Sequence, residues 1–190
     1  VFAGFKIIII IVQLKQPLEY VALFGLTLTA FNLLNLILGN TKTITAKELA
    51  LAIAEKNRAV VLNKLQFIRL VNVSFLFFTF LVFWIIGDDF LRIIFSGKYA
   101  ELAELIKILL IVLFLKSLIG PIEWCLALNK QANILTTVRF SAHIINMVFI
   151  YFFIQHLKVA AIGISLAIGL LLPQILILVF YRKELWFLKK

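Results

Sequence analysis

Residues 159–181 read VAAIGISLAIGLLLPQILILVFY, 23 consecutive positions without a charge. Coiled as an α-helix at 1.5 Å per residue, they extend about 35 Å. The hydrocarbon core of a bilayer is about 30 Å thick. Backbone groups in lipid must pair within their own segment, so a helix is the expected form. Working outward, Lys158 separates this run from a second uncharged run, residues 140–157, within a span set at about 134–157. Residues 20–41 and 70–87 repeat the pattern. A fifth span, 102–119, carries Glu104, Lys107 and Lys116 and stops at Gly120-Pro121, a pair that breaks or kinks a helix. Glu104 and Lys107 stand three apart, on one helix face, where they can pair. Residues 1–14 are apolar except for Lys6 and fall short of the roughly 20 residues a span needs. They read as a sixth, truncated span, so the chain is expected to be the C-terminal portion of something longer. The expected fold is an all-α, polytopic transmembrane bundle of five full spans plus a truncated one.

Composition agrees. Of 190 residues, 64% are hydrophobic and 15% charged, with a mean hydropathy of +1.11. Soluble domains are about 45–50% apolar and about 25% charged, so the apolar excess is expected to face lipid. The net charge of +10 does not point to nucleic acid. The cations sit at the ends of apolar runs, where membrane topology places them. Anionic head groups or an anionic lipid-linked substrate are the expected partners. The single cysteine, Cys125, lacks the companions for a disulfide or a metal site, so it reads as a small buried hydrophobe. No HExxH, GxSxG or phosphate-binding loop is present. No cofactor, metal or enzymatic chemistry is expected.

The one long polar stretch is 42–69. Thr45-Ala46-Lys47-Glu48 fits a capping box that would start a helix near Ala46. Leu49, Ile53, Val60 and Phe67 form a broken apolar stripe among Lys47, Glu55, Lys56, Arg58 and Lys64. That pattern predicts a basic amphipathic helix on a membrane surface, or a loop helix without lipid contact. Alternate loops hold six, three and four Lys/Arg, thirteen in all, against four in the opposite set. The richer set is expected inside, which makes 42–69 and the C-terminus cytoplasmic and sets Asp88-Asp89 in an outer loop.

Polar groups inside spans are costly unless paired or hydrated, so they are the site candidates. Arg139, His143 and Asn146 are spaced i, i+4, i+7 and share one helix face. That face either lines a water-filled cavity, or Arg139 reaches the interface while the other two bond neighbouring helices. Asn32 and Asn35, after Thr27 and Thr29, and Asn72 with Ser74 suit interhelical bonds or sugar hydroxyls. Ala161, Ser165 and Gly169, like Gly163 and Ala167, form small-residue strips for close packing, and Pro173-Gln174 marks a bend. Glu123, beside Trp124, is a carboxylate that either takes up a proton or pairs with a cation, or sits at the interface, the expected position.

Several motifs then fall in order. Phe95-Ser96-Gly97-Lys98-Tyr99-Ala100 is similar to the FG-x-x-Y-x-x-A junction in the C-terminal half of polysaccharide flippases. Gly120-Pro121 followed by Leu126-Ala127-Leu128-Asn129-Lys130-Gln131 resembles that family's P…L-x-A-x-G-[RK] loop, with Asn129 where glycine is usual. Ile145-Asn146-Met147-Val148 resembles its hydrophobic-N-hydrophobic helix. Residues 158–167 look like its G-I-x-G-A-A-x-A-T start to the last helix, with the glycine–alanine order altered at Ala160-Ala161-Ile162-Gly163. The chain thus resembles the O-antigen and capsule repeat-unit transporters of the multidrug/oligosaccharidyl-lipid/polysaccharide (MATE-like) superfamily.

The resemblance implies the second of two six-helix bundles, the first lying in an N-terminal part of the same chain. It also implies movement of an undecaprenyl-pyrophosphate-linked oligosaccharide across the bacterial inner membrane, with no bond made or broken. Arg139, Arg69 and Lys107 are then the cation candidates. His143 and Asn146, with Asn32 and Asn35, are the sugar-facing ones. The rivals are a cation-coupled multidrug exporter of the same superfamily, a membrane-embedded polysaccharide polymerase or ligase, and an assembly subunit.

Overall fold

The apolar runs do form helices. The computed structural model describes residues 2–95, 99–129 and 131–181. Ser96-Gly97-Lys98 of the junction motif, Lys130 of the loop motif and the four C-terminal cations lie outside them. Among the described residues there are seven helices and no strand: α1 (Phe2–Lys15), α2 (Leu18–Ala54), α3 (Arg58–Phe95), α4 (Ala100–Ile119), α5 (Ile122–Leu128), α6 (Ala132–Leu157) and α7 (Val159–Phe180). Four of them, α2, α3, α6 and α7, are long and apolar enough to cross a membrane. The number rises to five if α4 and α5, bent by 54° at Gly120-Pro121, count as one broken span.

The packing partners close a ring in the order α1, α2, α3, α4, α7, α6 and back to α1, with α2 also touching α4. Half of α7's most apolar stretch is buried, against 17% for α3, so α7 is interior and α3 peripheral. The small residues of α7 explain its depth. A Cβ on Gly169 would lie 2.8 Å from Phe5 Cζ and 3.1 Å from Asn146 Nδ2, and one on Gly163 would lie 3.0 Å from Ile108 Cδ1. Helices that gain little by leaving lipid associate through such close packing. The end of α1 is tied to α6: Lys15 Nζ donates to the Tyr151 carbonyl (3.1 Å) and Gln16 Nε2 to that of Ile154 (3.1 Å).

The structure corrects the reading of 42–69. No separate helix begins at Ala46. Instead α2 and α3 run on as a hairpin of 37 and 38 residues, about 55 Å each. Thr45 is buried in mid-helix, and its hydroxyl donates back to the Thr41 carbonyl (2.9 Å) rather than capping. The true stop is ten residues later. Asn57 N–H reaches the Ala52 carbonyl (2.8 Å), Lys56 N–H reaches that of Ile53 (3.2 Å), and Lys56 is left-handed at φ 55°. That is a Schellman closure with lysine where glycine is usual. Asn57 Oδ1 then accepts from Val60 N–H (3.3 Å), starting α3. The apolar stripe is divided between core and surface. Leu49, Ile53 and the adjacent Val61 are buried with Ile122, Cys125, Leu126, Leu135 and Val138 of α5 and α6, while Phe67 is exposed.

Two further readings change. Asp88 and Asp89 lie within α3, not in a loop. Lys107 pairs with Asp88 (2.8 Å), not Glu104, because α3 and α4 lie side by side there.

Two apolar cores result. The larger spans the ring from Phe5 to Leu170; the smaller joins the hairpin tip, α5 and the adjoining ends of α6 and α7. Asn57 fixes the tip of the hairpin that feeds the smaller core. We expect Asn57→Ala to cost about 1 kcal/mol, seen as a lowered melting temperature of the detergent-solubilised protein. An unchanged melt would show that the cap contributes nothing.

Candidate functional site

Between the two cores lies a polar layer. Along α2 it falls between Leu38 and Leu49 and holds Lys42; along α7 it falls between Leu170 and Ile177 and holds Gln174. Along α6, Arg139 follows directly on Val138 of the smaller core. Lys116 of α4 reaches the same level. These four, with Glu123 and Asn35, line a cavity of about 360 Å³ inside the ring. A smaller cavity of about 40 Å³, lined by Lys42, Lys116, Asn35 and Gln174 too, adds Arg69 and Asn72. The Thr41 hydroxyl donates to Asn72 Oδ1 (2.9 Å), holding α2 against α3 at this level.

The backbone break delivers the one carboxylate of this lining among the described residues. Gly120 has φ 94° and ψ 176°, a region open in practice only to glycine. Pro121 follows, and α5 leaves at 54° to α4. That turn brings Glu123 back under the ring, where it is only 9% exposed. Arg139 donates to it twice, from Nε (3.0 Å) and Nη2 (2.6 Å), both to Oε2. Glu123 is thus a buried partner of a cation, one of the roles open to it from the sequence. Formally, Lys42, Lys116 and Arg139 against Glu123 leave a surplus of two positive charges, and Arg69 adds a third at the rim. Gln174 is buried with its Oε1 unpartnered. A concavity with surplus cations and amide groups has the chemistry to hold an anion bearing further hydrogen-bonding groups.

The sequence candidates divide. Arg139 and Asn35 line the cavity, and Arg69 is exposed at its rim. Lys107 does not belong: it pairs with Asp88 toward the other end of α3 and α4. The Arg139–His143–Asn146 face splits along its length. The His143 ring stands edge-on to Phe5 at 6.1 Å, with Nδ1 buried and unpartnered. Asn146 is fully buried and donates from Nδ2 to the Ser165 carbonyl (3.0 Å), bonding α6 to α7, and its Oδ1 is unpartnered. Asn32 is half-buried with Oδ1 unpartnered, outside the cavity's lining. Sequence reasoning missed Lys42, Lys116, Glu123 and Gln174 as members. Their signal was present, as charges toward the ends of apolar runs and an amide after Pro173 within the last one.

No protein-family model, curated protein or solved structure matches the chain.

An ion pair of this kind reveals itself in a double-mutant cycle. Removing one partner strands the other charge, whereas removing both does not. Arg139 is about a third exposed, so the loss should be intermediate between the 3–5 kcal/mol of buried pairs and the ~0–1 of exposed ones. We expect Glu123→Leu to destabilise by about 2 kcal/mol and Glu123→Leu/Arg139→Leu by clearly less, from thermal melts of purified protein. Additive losses would contradict a coupled pair.

Proposed function

We propose that this chain is a transport module that moves an anionic lipid-linked oligosaccharide across the bacterial inner membrane, as the second bundle of a two-bundle flippase. The observation that carries the reading is the cavity with a surplus of cations inside a ring of apolar helices. The resemblance in motif order adds the substrate class, an undecaprenyl-pyrophosphate carrier bearing sugars.

A pyrophosphate head is a compact anion. Lys42, Lys116 and Arg139 provide its counter-charge, with Arg69 meeting it at the rim. Asn35 and Gln174 offer amide donors and acceptors to sugar hydroxyls. The prenyl tail needs no polar path, because the outer faces of the helices are apolar and lipid-compatible. The excess of Lys and Arg in alternate loops orients the hairpin tip, the cavity mouth and the C-terminus toward the cytoplasm, where such a substrate is made. Transport breaks no bond.

A cation-coupled drug exporter is the nearest rival, and the buried Glu123 is the observation in its favour. Three cations around that carboxylate argue against a cationic drug as cargo.

The test is replacement of Arg139 in the full-length protein, followed by quantification of surface polysaccharide. We expect Arg139→Ala to cut export at least about tenfold at normal protein levels, a loss of about 1.4 kcal/mol or more in binding or barrier. Arg139→Lys should retain part, because it keeps the charge and loses the fork of donors. Intact export by Arg139→Ala would sink the reading; drug hypersensitivity with normal polysaccharide would favour the exporter.

A further inference from the structure

Glu123 has a feature that a simple structural partner would not need. It sits on a seven-residue helix joined to α4 through the glycine-only turn at Gly120. Among the described residues it is the one carboxylate in the cavity's lining, and it occupies the cation best suited to a phosphate. Both Arg139 hydrogen bonds go to one oxygen, Oε2, so the pair is not the two-oxygen fork that grips a carboxylate most firmly. Around Glu123, α5 buries Ile122, Cys125 and Leu126 in the smaller core, which closes one side of the cavity.

We propose that Glu123 is the cavity's resident counter-anion, which an incoming phosphate group displaces from Arg139, and that its displacement lets α5 swing about Gly120-Pro121 and open the smaller core. The proposal rests on the anion-binding reading above and adds a positioning residue and a moving part to it. The carboxylate keeps Arg139 paired while the site is empty. A dianionic head matches the surplus of two charges and competes for Arg139; a neutral sugar or a single weak anion such as chloride does not. Binding and opening are thereby coupled through one contact, and only a ligand of the right charge works the hinge.

The chain carries its own reporter. Cys125 is 1% exposed, two residues from Glu123, and packs in the core that α5 would uncover. The experiment is alkylation of the full-length protein in nanodiscs with N-ethylmaleimide, with the Cys125-containing peptide quantified by mass spectrometry over time. Inorganic pyrophosphate is the probe, against chloride at matched ionic strength. We expect slow labelling in the unliganded protein, and at least about fivefold faster labelling with pyrophosphate. Glu123→Gln should label at the fast rate without any ligand. Glu123→Asp, which keeps the charge, and Lys107→Gln, which breaks only the distant pair with Asp88, should label slowly.

Slow labelling in a folded Glu123→Gln overturns the proposal, and if pyrophosphate still raises the melting temperature, the anion-binding reading survives it. Fast labelling in Glu123→Gln with no response to pyrophosphate by rate or melting overturns the anion-binding reading and the displacement together. Fast labelling in Lys107→Gln as well as Glu123→Gln would show general loosening and overturn the specific role of Glu123.

Discussion

Arg139 and Glu123 meet where two apolar cores leave a gap, and the rest of the architecture follows from keeping that gap polar. A guanidinium inside a ring of apolar helices is costly unless a partner or water compensates it. The partner comes from a backbone break, not from a neighbouring turn of the same helix. Gly120 takes a conformation closed to other residues, Pro121 stops α4, and α5 returns with the carboxylate. Lys42 and Lys116 line the remaining volume. A single carboxylate leaves the cavity cationic, and that imbalance gives it chemical meaning.

Around this layer, packing is achieved by removing bulk. Gly169 lets Phe5 and Asn146 approach α7, and the Asn146 amide bonds the Ser165 carbonyl. Phe5 in turn meets Phe24, Phe31 and His143 edge-on, joining α1, α2 and α6 on the far side of the cavity. The larger core is therefore close-fitting and interlocked. The smaller core hangs on a hairpin tip and a seven-residue helix. If one of the two moves, the smaller has fewer contacts to break, which is the physical basis for assigning it the mobile role.

Much of the fold was legible because lipid imposes a simple rule: uncharged runs of about 20 residues become helices. Helix ends were less legible. Residues 42–54 carry three charges, Lys42, Lys47 and Glu48, so hydropathy drops there, yet no glycine or proline stands between Thr41 and Asn57, and a helix has no reason to end where its surroundings change. The real stop, Lys56-Asn57, lacks the glycine that usually announces one. The site was half legible. Arg139, Asn35 and Arg69 stood out as polar groups at spans. Their grouping did not, because Lys42, Lys116 and Glu123 meet them only across five helices. The shared face of Arg139, His143 and Asn146 misled for a geometric reason. Seven residues climb about 10 Å along a helix, enough to pass from the cavity into the larger core.

The central claim is that the layer between the cores binds a phosphate-bearing lipid. It is tested most directly by the affinity of the purified full-length protein for a short-chain isoprenoid pyrophosphate and for the matching isoprenoid alcohol. Trp124, in the cavity lining, offers a fluorescence signal, with Trp124→Phe as its control. The account predicts that the pyrophosphate binds at least about tenfold more tightly, a difference of about 1.4 kcal/mol, and that Lys116→Gln/Arg139→Gln erases most of the gap. Equal affinities for the two lipids, or a gap untouched by those substitutions, would contradict it.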